Sequence, residues 1–464
     1  MTEPTGLASA SELVERALGA SSSDGCVVIV EDVIDANVRF ANNTTTTNGV
    51  RRDRRVSVVA IRGEGEDSRV GVVSTSGEGE IEDLVAHAEN DARDAQPADD
   101  ASPLENDGED DDFAGAAGET DLSIFSTVLA ELAEAFQAAR VGGRVISGFA
   151  IHEVRTISLG SSSGTRRRFV QPTGSFELVE RTTDGSASTW AGIGTPDFAD
   201  VSLSALDAKL AGRLAVAKRK VDLAAGRYEV ILPSDAVADL VLEFEFAASG
   251  REAEDGGTAF SGPSGATRVG ERLTEVPFDL YGDPHAPRIE CPDFVVATSS
   301  GPDSSVFDNG VRVDKMNWLQ DGSLEHLRYH RAGARRSHVA FAPAVDNTIL
   351  NLPGAEATLE HLVSRTERGL LLTCLWYIRE VDRSNLLVTG LTRDGVYLVE
   401  HGEIVGAVNN FRFNESPIDM LGRTIEAGRT ERCLSREWHE WANRTAMPPL
   451  RVADFNMSSV SQAS

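Results

Sequence analysis

Apolar and polar positions alternate with a period of two over CVVIVEDVIDANVRF and again over RRVSVVAIRG, as in two half-buried strands joined by the polar stretch ANNTTTTNGV. Residues 11–18 ahead of them have helical spacing, GVVS at 71–74 reads as a third strand, and residues 79–94 return to the helical period. These elements predict an α+β unit over residues 1–95. The pattern then lapses: DAQPADDASPLENDGEDDDFAGAAGETD has almost nothing to bury and a run of like charges, so residues 96–121 are expected to form a flexible acidic segment.

A second α+β unit is expected over residues 122–225. A helix at 122–140 carries Ile124, Val128, Leu132 and Ala135 on one stripe. Strand-like pieces VISGFAIHEVRTISLGSS, RRRFVQPTGSFELVERTT and STWAGIG follow it, and a helix at 203–223 closes the unit. Residues 226–464 are rich in short strands separated by Gly and Asp turns. The fold class expected is therefore α+β, with N-terminal α/β units followed by a large, mostly antiparallel β-rich C-terminal domain.

The strand YEVIL runs into a helix over SDAVADLVLEFEF, in which Val237, Leu240, Val241 and Phe244 recur at i, i+3, i+4 and i+7. Ser234 and Asp235 are expected to cap its start, and the helix is expected to pack on one face. Glu243, Glu245, Glu252, Glu254 and Asp255 offer oxygen donors for Mg²⁺ or Ca²⁺, or general bases. A charge series of this kind reads first as a solvated acidic face.

The chain has 464 residues, 41% hydrophobic, with a formal net charge of -29. That length implies more than one globular core, and that charge opposes binding to a phosphate backbone, so no nucleic-acid partner is expected. Arg166, Arg167 and Arg168 form one basic cluster and Arg51, Arg52, Arg54 and Arg55 a second, read as solvated loop or edge-strand arginines with a local anion site as the alternative. Cys26, Cys291, Cys374 and Cys433 show no C-x-x-C spacing, which suggests neither a zinc ribbon nor a disulfide framework. The first residues lack a basic start and a long apolar run, and no later window is read as crossing a membrane, so a cytoplasmic location without membrane contact is expected.

His326 and His330 are the nearest histidine pair. Read as a strand, GSLEHLRYH would place both on one face, but zinc needs further ligands that the spacing does not supply. Cys433 and His439, in RCLSREWHEW, are candidates for a thiolate and its base or for metal ligands; a packed thiol is the simpler reading. No phosphate-cradling G-x-x-x-x-G-K-[ST] loop occurs.

Two stretches carry a family resemblance: GFAIHEVRTISLGSSSGTRRRFVQPTGSFELVERTTDGSASTWAG at 148–192, which holds Arg166, Arg167, Arg168, Gln171 and Pro172, and the tail NRTAMPPLRVADFNMSSVSQA at 443–463. GTAFSG, DGSLEHLRYHRAGARR, ERGLLLT and DGVYLVEHGEI lie between them in matching order. Together they resemble the TldD/PmbA family of metalloprotease-related proteins. The resemblance implies a pair of TldD-type and TldE-type (PmbA) subunits enclosing a chamber where unfolded peptides are cut. The TldD-type subunit would hold zinc through an H-E-x-x-x-H helix and a C-terminal cysteine. At the matching helix this chain reads Leu242, Glu243, Phe244, Glu245 and Phe246, with no histidine, while Cys433 lies near the expected cysteine position.

The resemblance therefore implies a TldE/PmbA-like subunit with no catalytic residues and no cofactor of its own. Zinc is expected in a histidine-bearing partner, or a second copy of the chain forms a homodimer. The alternatives are a peptide-binding homodimer without enzymatic activity, and a self-sufficient peptidase with a metal on carboxylates around Glu243, Glu245 and Glu252. Trp318, Trp376, Tyr377, Trp438 and Trp441 are candidates for partner contacts as well as for core.

Overall fold

The computed structural model describes residues 8–77 and 79–461. Residues 1–7 of the stretch read for a leader, and 462 and 463 of the family-like tail, lie outside the described residues. The N-terminal alternation becomes one antiparallel sheet of β1 (Gly25–Ala41), β2 (Thr44–Arg62), β3 (Arg69–Ser76), β4 (Arg144–Ser161), β5 (Arg166–Thr182) and β6 (Ser188–Thr195), ordered β3-β2-β1-β4-β5-β6. Asn42 and Asn43 turn the first hairpin at φ 52° and 58°, a left-handed conformation that asparagine tolerates. The threonines read as connector belong to β2, with exposed side chains.

The boundary expected at residue 95 divides no sheet. β1 pairs with β4 from Val27–Ser161 to Phe40–Gly148, because a meander of β1 to β3 alone would leave the second edge of β1 unpaired. The N-terminal and central units are thus one structural layer. Its even-numbered β1 face, from Val28 and Val30 to Val38 and Phe40, is covered by α1 (Ala10–Ala20), α2 (Ile81–Asp94), α3 (Ser126–Val141) and α4 (Leu203–Val216). The run Leu122–Val141 has the length and a mean hydropathy of 1.2 that pass for a membrane span, contrary to the sequence reading. Its apolar stripe of Val128, Leu132, Ala135 and Phe136 is instead core against this sheet. α4 stops at Val216, short of residue 223, and the chain passes into a two-residue strand, β7 (Lys220–Val221).

The segment 96–121, expected to be flexible, is a fastened strap. Phe113 is buried, Asp100 accepts from Ser300 and Ser305, and the Gly118 N–H donates to Thr156. Arg167, almost fully buried, donates to the carbonyls of Gly108 and Gly310 and to Asp107. Arg168 pairs with Asp112 and Arg166 with Glu15. Three arginines of the second group are paired as well, Arg51 with Asp53, Arg52 with Glu119 and Arg54 with Asp32. Strap carboxylates and strand arginines neutralise one another, which composition alone could not reveal.

Beyond β7 come β8 (Gly226–Leu232), α5 (Ser234–Phe246), α6 (Gly250–Glu254), β9 (Asp279–Gly282), β10 (Met316–Gln320), β11 (Ser323–Leu324), α7 (Arg331–Ser337) and β12 (Thr348–Asn351). They are followed by β13 (Arg368–Leu372), β14 (Leu375–Asp382), β15 (Leu387–Thr392), β16 (Val396–Glu400), β17 (Glu403–Val408), β18 (Phe411–Glu415), β19 (Thr424–Ala427), β20 (Glu431–Cys433), β21 (Thr445–Met447) and β22 (Leu450–Val460). One sheet runs β11-β10-β9-β12-β21-β20, and the larger runs β14-β15-β18-β22-β8-β13-β16-β17-β7 with β19 beside β22. Most pairings are antiparallel; β8 with β13, β12 with β21 and β7 with β17 are parallel. The largest core cluster contains residues of both sheets together with Val237, Leu240, Val241 and Phe244 of α5.

Candidate functional site

The site is built on α5. Eleven of its thirteen residues are buried, so the expectation of one packed face fails. Pro233 occupies the cap position, leaving Ser234 free to donate to Glu431 (2.9 Å) and Asp235 to accept the Leu434 N–H (3.0 Å). Glu243 and Glu245, expected on a solvated face, are each under a tenth exposed. The partners that bury them come from sequence-distant segments. Thr348 donates to Glu245, and the loop over residues 434–443 lies along the other side of the helix.

This loop ties together three parts of the molecule. Asp239, fully buried, accepts from the Ser435 hydroxyl (2.7 Å) and the Glu437 N–H (3.0 Å), and its backbone carbonyl accepts from the Trp438 indole (3.0 Å). Glu437 reaches β14, where it accepts the N–H groups of Tyr377 and Ile378. Arg436 stacks on Trp376 with its guanidinium carbon 3.8 Å from the ring centroid and pairs with Glu177 of β5, as His439 does at 3.3 Å. One half of the second face of the N-terminal sheet, with Ile29, Ile157 and Leu159, is covered by Phe294 and Phe307; between its other half and the loop lies a cleft of about 710 Å³, floored by Phe149, Ile151 and Ser175.

Burial dominates the titration of the helix carboxylates. It pushes Asp235 up to about 6 and Asp239 up to about 7, with like charges adding to the effect. Glu243 is raised to about 7 by burial and then by Glu380 and Glu437, and Glu245 to about 7 by burial, which the hydrogen bond from the Thr348 hydroxyl only partly offsets. One oxygen of Asp239, Oδ2, has no hydrogen-bond partner, which favours the protonated form there. The folded chain therefore holds protons that the unfolded chain releases near pH 4, and stability falls as pH rises through the folded values. Melting temperature is expected to drop between about pH 5 and about pH 8, with Asp239→Asn and Glu245→Gln each flattening the slope. An unchanged slope in both variants would contradict this assignment.

Leu242 and Phe244 are core, Phe244 packing on Phe260 at 4.7 Å between centroids, whereas Phe246 is 41% exposed and meets Trp438 edge-on at 5.3 Å. Glu252 pairs with Arg383, Glu254 accepts from Tyr329 and Asp255 pairs with Arg251. The carboxylates offered as alternative metal ligands thus face different neighbours. His326 and His330 share no strand face. β11 ends at Leu324, His326 contacts the Asn317 carbonyl, and His330 caps α7 by accepting the Gly333 N–H. Cys433 and His439 are engaged separately, the thiol with the Thr445 hydroxyl at 3.4 Å and the imidazole with Glu177 and the Arg436 carbonyl. Gln171, in β5, donates to the Glu290 carbonyl, and Pro172 follows it opposite Val154 of β4.

These residues do not fit the zinc site of the resembled peptidases. The α5 positions carry no histidine, and the Cys433 thiol is buried and held well above the usual thiol range, where the thiolate that ligates zinc is disfavoured. Among the described residues no three His, Cys, Asp or Glu side chains form a metal-holding group. Sequence reasoning missed Asp239, Glu177, Arg436 and Glu437. The one signal for Asp239 was a lone acid inside the apolar run VADLVLEF.

Residues 225–459, the part that carries α5 and the loop, match the family model described as the PmbA/TldA metallopeptidase C-terminal domain. The chain belongs to the PmbA/TldD family. No curated protein sequence matches this family member, but solved structures share its fold over nearly their whole lengths. TldE from Thermococcus kodakarensis superposes with a TM-score of 0.77 at 15% identity, covering 97% of this chain and 99% of that one. A candidate modulator of a DNA gyrase from Thermotoga maritima gives 0.75 at 15% identity, covering 96% and 99%. Another from Bacteroides thetaiotaomicron gives 0.73 at 13%, covering 97% and 98%. The α+β architecture is that of the PmbA/TldD fold.

Proposed function

We propose that this PmbA/TldD-family chain is the metal-free subunit of a two-subunit peptidase acting on unfolded or small peptides. The observation that carries the reading is α5 itself: a family helix closed on all sides by protein, without histidine, beside a buried cysteine bonded to threonine. Zinc chemistry is assigned to a histidine-bearing relative. This chain supplies the cleft wall and strand edges along which an extended polypeptide can lie. The cleft end of the N-terminal sheet, with Phe149 and Ile151 beside Ser175, offers apolar and polar contacts to such a segment. The four free, buried cysteines support a reducing, cytoplasmic setting.

The test is reconstitution. The purified chain is expected to leave a reduced, unfolded protein uncut and to give zinc-dependent cleavage when mixed with a histidine-bearing family member. Cleavage by the lone chain would overturn the reading, as would full activity of the relative without it.

A further inference from the structure

We infer that the outer edge of β14 is a receptor for the free C-terminal carboxylate of an extended peptide, held shut by the chain's own Glu437. β14 ends the larger sheet, so its outer side has no strand neighbour. Its ladder with β15 breaks between Trp376 and Arg379, and Tyr377 there adopts a left-handed φ of 52°. The break turns two successive N–H groups outward. Both meet the Glu437 carboxylate, Tyr377 N at 2.9 Å from Oε2 and Ile378 N at 3.2 Å from Oε1, and the Arg379 guanidinium closes on Oε1 at 3.0 Å. Consecutive backbone N–H groups with an arginine are the donor set that captures a terminal carboxylate.

The present occupant is a tethered stand-in. Glu437 sits on the loop over α5, with its own N–H fixed by Asp239, and it lies close enough to Glu243 to help raise that group's pKa. Trp441, 74% exposed and stacked 6.1 Å from Trp438, offers an aromatic shelf on the same loop. A peptide with apolar or aromatic last residues would take the donors from Glu437, extend along β14 and cover the shelf.

The inference rests on the peptide-holding role proposed above, and the experiment separates the two. An N-acetylated pentapeptide ending in phenylalanine, as the free acid and as the C-terminal amide, is titrated into the full chain with tryptophan fluorescence as the readout. In Glu437→Ala the acid is expected to bind at least about tenfold tighter than the amide and about tenfold tighter than it binds the unaltered chain. Glu437→Gln, which keeps the side-chain shape, is expected to shift in the same direction, and Arg379→Ala added to either is expected to erase the acid preference. Equal binding of acid and amide in the Glu437 variants would overturn the receptor while leaving peptide holding intact. No binding of either peptide in any variant would overturn both.

Discussion

Arg167→Ala is expected to cost about 3–5 kcal/mol and to expose residues 96–121 to proteolysis, because it removes the cation around which the strap is wrapped. Arg167 is 1% exposed. Its loss would take a guanidinium from the carbonyls of Gly310 and Asp107 and from Asp110, whose side chain is 13% exposed, while the Gly108 carbonyl keeps the Arg166 N–H. Arg168→Ala is the matched comparison. Its partner Asp112 lies mostly in water, so its loss is expected to cost only about 1 kcal/mol or less. Urea unfolding reads the energies and limited proteolysis reads the strap. Equal losses in the two variants would show that the strap is not organised by the buried arginine.

The second large effect is expected at Phe244→Ala, about 3–5 kcal/mol from lost transfer energy and the cavity left behind. Phe244 is 1% exposed and packs on Phe260, on a helix with eleven of its thirteen residues buried, so its surroundings can close only part of the gap. Phe246→Ala, two residues on, removes a ring that is 41% exposed and is expected to cost about 1 kcal/mol or less. Similar midpoints of unfolding for the two variants would contradict the placement of α5 at the centre of the C-terminal domain.

Local patterning carried much of the fold into view. The alternation after Val30 marked a strand with one covered face, and β1 is that strand there; the apolar run Cys26–Val30 ahead of it is buried on both faces, Val28 and Val30 under the helices and Val27 and Ile29 against Phe294 and Phe307. The stripe of α5 likewise marked a helix at the right place. What sequence could not show was closure by distant segments. Glu243 and Glu245 read as solvent-facing because nothing local buries them; the loop over residues 434–443 and Thr348 do so from beyond a hundred positions away in mixed company with Arg379 and Arg436. The strap misled in the same way, since an acidic run is soluble on its own and becomes structure only against Arg167, Arg312 and Arg331. His330 failed as a metal candidate for a local reason, its ring having been taken by a helix cap.

The zinc content of the isolated chain is the most direct test of the central claim. After equilibration with buffered zinc and removal of the free metal, elemental analysis should find far less than stoichiometric zinc, with no further loss in Cys433→Ser. Stoichiometric zinc that disappears in Cys433→Ser would place a metal centre on this chain and contradict the account.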